Sequence, residues 1–422
     1  MKALVKVGYG CNNNCLFCHT LDLRHVAGSA DEVHRKIGRA ADLGYSMVVL
    51  SGGEPTMRRE LLGWAEHAAS LGLDFGLVTN GRMLSYRELV DRLLEHRLRY
   101  VYVSIHGATA AVHDRLVRAH DAFEQTVRAI DNLVGRVEDL TANCVVTRQN
   151  VDHLADVAEL ASTQSELRLT FSFVEAKGGG RELFEQLVPD VSYAAGRVGE
   201  VLAAAGEGAR LSHGAFPLCL MPGAEHRYDD LRTHGFRAMT EADETDFFPV
   251  DDLNRIQPED PCSGCALRGP CPGLYRGYHE ARGSGELRAV SGPPRVTSVR
   301  WDFDAQVAAG FDDSAGHAAC PIFRDGVTPW DRGRHLFIAA SGAVLRLYCA
   351  SRDLTDAEIA RVKLEEGTMQ LADASGLPLQ AAPLSRSRAC TGCPERHRCT
   401  GLFVSSDASA AAGVNAVGTV NA

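Results

Sequence analysis

Cys11, Cys15 and Cys18 are spaced C-x3-C-x2-C in the stretch Gly8-Tyr9-Gly10-Cys11-Asn12-Asn13-Asn14-Cys15-Leu16-Phe17-Cys18-His19. Thiolates so spaced on a loop after a strand can converge on one inorganic centre. A cubane iron–sulfur cluster normally takes four protein thiolates. Three would leave one iron open, and an open position marks a working metal site rather than a closed structural one. A zinc knuckle completed by His19 is the competing chemistry.

Two further cysteine groups follow. Cys262, Cys265 and Cys271 read C-x2-C-x5-C, with Cys219 upstream as a fourth thiol, enough to enclose a second centre. Cys390, Cys393 and Cys399 repeat the spacing, with Cys320 and Cys349 before them, so this group holds one thiol to spare. Structural zinc is the alternative for both groups. Cys144, inside an apolar run, reads as a small core residue. Thirteen cysteines in C-x2-C groups without an export signal point to metal rather than disulfides, and to a reducing cytoplasm.

The elements that must position these groups are legible upstream of residue 177. Strands are expected at Leu4–Val7, Met47–Leu50, Leu73–Thr79, Tyr100–Ile105, Asn143–Val146 and Leu167–Val174. Helical spacing fills the gaps: Val33, Ile37 and Ala40; then Leu89 and Leu93; Phe123, Val127, Ile130 and Val134; and Leu154, Val157 and Ala161. Ser29 with Glu32, and Ser85 with Glu88, form capping boxes, and Gly44 stands where the first helix should stop. Six strand–helix units predict a partial parallel α/β barrel, whose function collects past the carboxyl ends of the strands. Those ends carry the cysteine loop, Ser51-Gly52-Gly53-Glu54-Pro55-Thr56, Thr79-Asn80-Gly81 and Ser104-Ile105-His106-Gly107. Asn80-Gly81 alone is equally well read as simple turn chemistry.

The three-cysteine spacing with Phe17 before the last cysteine resembles the signature of the radical S-adenosylmethionine (radical SAM) enzymes. The resemblance implies that S-adenosylmethionine chelates the open iron and that its reductive cleavage releases a 5′-deoxyadenosyl radical. Gly52-Gly53-Glu54 matches the family's GGE motif, implying contact with the cofactor amino group, and Phe17 matches the aromatic residue near the adenine. The segment from Ser104 through His113-Asp114-Arg115-Leu116-Val117-Arg118 to Phe123 is similar to that of the peptide-modifying branch. It implies a ribose contact for Ser104 and a carboxylate contact for Arg118, whose permanently charged fork suits it. His106 replaces the aspartate usual there. The later cysteines resemble the SPASM and "twitch" extensions that hold auxiliary four-iron clusters, although Phe403 stands where a full SPASM pattern has another cysteine.

Lys177-Gly178-Gly179-Gly180 reads as a hinge. The expected division is therefore a core over 1–177, auxiliary modules over 178–300 and 301–404, and a disordered tail over 405–422. A helical stretch is expected around Leu183 to Ala205, a polar segment from Glu225 to Glu259, and a hairpin turn at Ala340-Ser341-Gly342. The net charge of −10 and the lack of any long apolar run give no support to nucleic-acid or membrane partners.

These readings converge on an enzyme abstracting hydrogen from a peptide and leaving an oxidised or cross-linked product. Such a reaction needs an electron donor such as flavodoxin or ferredoxin. With a barrel starting at residue 4, a separate leader-peptide recognition protein is also expected. Dehydrogenation or epimerisation of a small metabolite, such as an aminocyclitol or sugar, is the alternative. A non-enzymatic metal-bound electron carrier is the third, but it would not need Gly52-Gly53-Glu54 or Arg118. No catalytic acid or base is assigned; His106, Glu175 and the spare cysteine are candidates.

Overall fold

The computed structural model describes residues 2–291 apart from 165, 206–208, 225–226, 230–235, 240–247, 250–253, 266 and 269–270, and beyond them the backbone of 334–338, 344–348, 371–372, 378–379, 384–385 and 402–403. The chain forms two compact units, one of residues 1–264 with 271–289, the other of 265–270 with 290–422.

The first unit is built on one sheet. Its strands are β1 (Lys2–Lys6), β2 (Met47–Ser51), β3 (Asp74–Thr79), β4 (Leu98–Ser104), β5 (Asp139–Val146), β6 (Arg168–Phe173), β7 (Leu211–Gly214), β8 (Phe236–Met239) and β9 (Phe248–Pro249), in the order β7-β6-β5-β4-β3-β2-β1-β8-β9. All neighbours from β7 to β8 pair in parallel, and β9 closes the edge antiparallel. Burial on both faces explains the unbroken apolar runs, such as Met47-Val48-Val49-Leu50. The helices α1 (Ala30–Asp42), α2 (Leu61–Ser70), α3 (Arg87–Glu95), α4 (Ala110–Val117), α5 (Ala122–Leu133) and α6 (Leu154–Ser162) connect the strands. All six expected strands are present within a few residues of their expected bounds.

Strand alternation sorts the core. Ala3 and Val5 of β1 face the helix layer, whereas Leu4 packs with Met47, Val49, Tyr100, Tyr102 and Phe236 in a separate inner cluster. Below it, at the amino ends of the strands, the buried Lys2 ammonium lies 4.4 Å from the Tyr100 ring centroid and 3.8 Å from the Asp139 carboxylate. Asp139 also pairs with Arg168. Apolar filling and this ionic floor close the amino end, and a cavity opens at the carboxyl ends of the strands.

Some local expectations change. Ser29 caps α1 as expected, its Oγ accepting the Glu32 N–H at 3.1 Å, and Gly44 with φ +77° ends that helix. Ser85 caps nothing: its hydroxyl donates to the Arg82 carbonyl inside a 3-10 turn, and Tyr86 precedes α3 instead. The stretch from Leu183 splits into α8 (Phe184–Leu187), which follows the short α7 (Gly179–Glu182), and α9 (Val191–Ala205), with Pro189 between α8 and α9. The segment from Glu225, read as polar, contains β8 and the buried Arg227, Tyr228 and Asp229. The acidic patch at 241–246 lies outside the described residues.

The Lys177–Gly180 run is not a hinge but a packing element. A Cβ on Gly179 would lie 2.2 Å from the Leu16 carbonyl oxygen, and one on Gly178, which has φ +51°, 2.5 Å from that of Cys18. Glycine is needed because this backbone lies directly on the cysteine loop. The sheet likewise continues beyond residue 177 into β7 and β8.

In the second unit, residues Arg334–Ile338 pair antiparallel with Val344–Tyr348, with Ile338 opposite Val344, as expected before Cys349. Cys320, Cys349, Cys390, Cys393 and Cys399, and the tail, lie outside the described residues.

Candidate active site

The loop after β1 is fastened by nearly every neighbouring strand end. The Gly53 and Glu54 N–H groups donate to the Gly8 and Gly10 carbonyls at 2.8 Å each. From the end of α4, the Val117 and Leu116 carbonyls accept the Asn14 and Leu16 N–H groups at 2.8 and 2.9 Å. Gly179 N–H donates to the Cys18 carbonyl at 3.0 Å. Arg82, just past β3, reaches the Asn12 carbonyl at 2.7 Å and Asn13 Oδ1 at 3.2 Å, and Arg24 reaches the Asn13 carbonyl at 2.6 Å. Gly52 and Gly53 are glycines for contact: a Cβ on either would lie within about 2.2 Å of a carbonyl oxygen of the cysteine loop.

This fastening leaves a cavity of about 420 Å³ at the carboxyl ends of the strands, with Cys11, Cys15 and Cys18 on its wall. Phe17, Gly52, Gly53, Asn80, Ser104, His106, Asn143, Ser172 and Glu175 also line it. Burial pushes the Cys15 thiol up to about 12, with the neighbouring Cys11 and Cys18 adding to the rise, and it pushes Cys11 up as well. Buried thiols of this kind become thiolates only when a cationic centre takes over the charge. Among the described residues no trio of His, Cys, Asp or Glu is placed to hold a single metal ion. A cubane corner requires something different, namely three sulfurs spread around one face of a cavity. The donor set on this wall fits that requirement.

Glu54 does not face the cavity. It is 1% exposed, and its carboxylate accepts four hydrogen bonds: from Thr56 N at 3.0 Å, Thr56 Oγ1 at 2.5 Å, Thr79 Oγ1 at 2.7 Å and Asn80 N at 2.6 Å. It braces the β2 loop against the end of β3, and the Gly52-Gly53 segment is what lines the cavity. Burial raises its pKa, and the four hydrogen bonds oppose the rise.

Phe17 packs edge-on to His106 with ring centroids 4.8 Å apart. His106 Nδ1 accepts the Val145 backbone N–H at 3.2 Å. A backbone N–H can only donate, so this nitrogen is bare and the neutral ring carries its proton on Nε2. Burial, and then His113, hold the His106 pKa well below that of a free histidine. His113 Nδ1 in turn accepts the His106 N–H at 3.1 Å. Beside it, Asn143 Oδ1 accepts from Ser172 Oγ at 2.6 Å. The wall contributed by β4 and β5 therefore offers neutral hydrogen-bond donors, where the resembled motif would place a carboxylate.

Arg118 is exposed, at the left-handed residue after α4 (φ 52°), and is not among the residues lining the cavity. Arg24 is, and its buried Nε lacks a hydrogen-bond partner. Arg24, Asn80, Asn143 and Ser172 went unassigned in the sequence. Only Asn80, in a glycine turn at a strand end, carried any signal there.

A second thiol group lies in the same unit. Cys271 accepts N–H bonds from Leu218 at 3.3 Å and Gly273 at 3.4 Å, and burial pushes it up to about 11, with contributions from the nearby Cys219 and Cys262. Cys265 belongs to the second unit, where its sulfur accepts the Val290 N–H at 3.4 Å.

Part of the chain is similar to known proteins. The model of the radical SAM superfamily matches residues 5–161. The AdoMet-dependent heme synthase of Methanosarcina barkeri is 32% identical over 176 residues, covering 41% of this chain and 50% of the relative. The PqqA peptide cyclase of Bradyrhizobium diazoefficiens is 27% identical over 195 residues, covering 46% and 51%. The crystal structure of Streptococcus suis SuiB bound to S-adenosylmethionine aligns with TM-score 0.46 and 15% identity, covering 61% and 62% of the two chains. The chain thus spans about half the length of the curated relatives it matches. On its cysteine loop, its parallel sheet and the match to the superfamily model, the segment 5–161 is a radical SAM domain.

Proposed function

We propose that this protein is a peptide-modifying radical SAM enzyme with Cys11, Cys15 and Cys18 holding its first four-iron cluster. The observation that carries the reading is the meeting of these thiols and the Gly52-Gly53 segment on one cavity at the carboxyl ends of the strands. When bound, the cluster and S-adenosylmethionine supply a 5′-deoxyadenosyl radical that removes a hydrogen atom from the substrate. The Gly52-Gly53 backbone would hold the cofactor amino group, Phe17 would pack on the adenine and Ser104 would bind the ribose. Arg24, by position, competes with Arg118 for the cofactor carboxylate. His106 presents its Nε2–H to the cavity.

By their spacing in the sequence alone, Cys219, Cys262, Cys265 and Cys271 are assigned to a first auxiliary cluster, and four of Cys320, Cys349, Cys390, Cys393 and Cys399 to a second. Clusters held by these thiols would supply an electron acceptor, which would make the reaction a net oxidation. A relative named as a peptide cyclase supports a peptide substrate, and we propose flavodoxin or ferredoxin as the electron donor. The relative named as a heme synthase favours the second reading, a small metabolite.

The test is anaerobic reconstitution of wild type and a Cys11/Cys15/Cys18→Ala variant. The expected result is about twelve irons against about eight, with 5′-deoxyadenosine formed from S-adenosylmethionine by the wild type only. Zinc in place of iron, or a fully loaded and reduced protein that leaves the cofactor intact, would refute it. A candidate peptide that is oxidised, against a metabolite that is turned over, separates the two substrate readings.

A further inference from the structure

Asn80 has every polar atom committed. Its backbone N–H donates to Glu54 Oε2 at 2.6 Å, and its carbonyl accepts from Thr126 Oγ1 at 3.0 Å. Its Oδ1 accepts the Arg82 backbone N–H at 3.0 Å. That bond fixes which end of the side-chain amide is nitrogen, because a backbone N–H needs an acceptor. The remaining group, Nδ2, has two hydrogens and two partners: Asn12 Oδ1 at 2.7 Å and Cys11 Sγ at 3.7 Å. Cys11 Sγ also accepts the Asn13 N–H at 3.4 Å. Among the described residues, Cys18 Sγ has the Thr20 hydroxyl as its hydrogen-bond partner, at 3.5 Å.

From this geometry we infer that Asn80 is a positioning residue that raises the reduction potential of the first cluster through its N–H bond to the Cys11 sulfur. The inference rests on Cys11 being a cluster ligand, as proposed above. Reduction adds negative charge to the cluster and its thiolates, and a donor aimed at sulfur stabilises the more negative state. The amide cannot turn away, since rotation would abandon both Arg82 N–H and Asn12 Oδ1. One residue therefore links the brace on Glu54 to the electronics of the site.

Two variants separate this role from a purely structural one. Asn80→Asp keeps the shape and the acceptor for Arg82 N–H but sets a carboxylate oxygen against sulfur. Asn80→Leu removes the donor and the acceptor without adding charge. Each reconstituted full-length protein is titrated anaerobically, following by electron paramagnetic resonance the signal that changes on adding S-adenosylmethionine.

The expected midpoint order is wild type highest, the leucine variant lower and the aspartate variant lowest. A structural role predicts the reverse ranking of the variants, since aspartate preserves the turn. Unshifted midpoints in loaded variants would overturn the inference, as would loss of the responsive signal in both variants with auxiliary iron retained. Failure of the underlying ligand assignment is distinguishable, because the wild type would then show no responsive signal at all.

Discussion

A Glu54→Gln variant should lose stability before any iron or cofactor is added. The carboxylate accepts from Thr56, Thr79 and Asn80, with both oxygens engaged. Glutamine keeps one acceptor, which can still serve Thr56 and Thr79. Its amide nitrogen then meets the Asn80 N–H, donor against donor. A hydrogen bond to a charged acceptor contributes about 1.5–3 kcal/mol, and an orphaned buried donor costs about 1–3 kcal/mol. Because burial raises the Glu54 pKa, removing the charge returns part of that loss. The net expectation is a loss of about 2–4 kcal/mol, or roughly 5–10 °C in the thermal midpoint. Thermal unfolding of metal-free protein measures it, and faster hydrogen exchange at the Asn80 amide localises it. An unchanged midpoint together with weakened S-adenosylmethionine binding would refute the reasoning, because the carboxylate would then be acting on the cofactor rather than on the fold.

Gly179→Ala should cost at least about 1–3 kcal/mol by overpacking, since its Cβ would lie 2.2 Å from the Leu16 oxygen; a thermal midpoint equal to wild type would contradict that contact. Metal-free protein should lose stability as pH falls from about 6.5 toward 4. His113 titrates at about 4 and His106 well below its ordinary value, so over this range the unfolded chain binds protons that the folded one refuses. A His106/His113→Phe double variant that kept the same acid slope in a urea titration would rule these two out as its source. Arg24→Ala should weaken S-adenosylmethionine binding more than Arg118→Ala does, by about tenfold for a lost charged hydrogen bond. Equilibrium dialysis of loaded protein decides, and the opposite order would return the carboxylate contact to Arg118.

The barrel was legible because its signals are local. Apolar runs such as Met47–Leu50 mark buried parallel strands, and Ser29 with Gly44 brackets α1. Signals failed where a contact distant in sequence reassigned a residue. Gly178 and Gly179 look like linker until Leu16 and Cys18 are seen beneath them. Ser85 and Glu88 have a capping spacing, but a 3-10 turn claims the Ser85 hydroxyl first. The strand at Phe236–Met239 is only four residues long and becomes a strand because the edge of β1 is there to pair with it.

The site divides along the same line. Candidates marked by residue type and spacing, namely three thiols, two glycines and an aromatic ring, line one cavity and could be named from the sequence. Residues that act through orientation could not. Glu54 is a motif residue whose carboxylate points inward, and that follows only from where Thr56, Thr79 and the Asn80 amide converge. Asn80 is a turn residue in sequence, and its link to Cys11 exists because Arg82 N–H fixes its amide and Glu54 fixes its backbone. These residues form one chain of contacts from the β2 loop to the thiol, so their effects should not add. In a Glu54→Gln/Asn80→Leu double variant, the loss should be smaller than the sum of the single losses, because each substitution already releases the turn that the other depends on. A strictly additive double-mutant cycle, measured by thermal unfolding without metal, would mean that the brace and the thiol contact are independent and that Asn80 reaches Cys11 without help from Glu54.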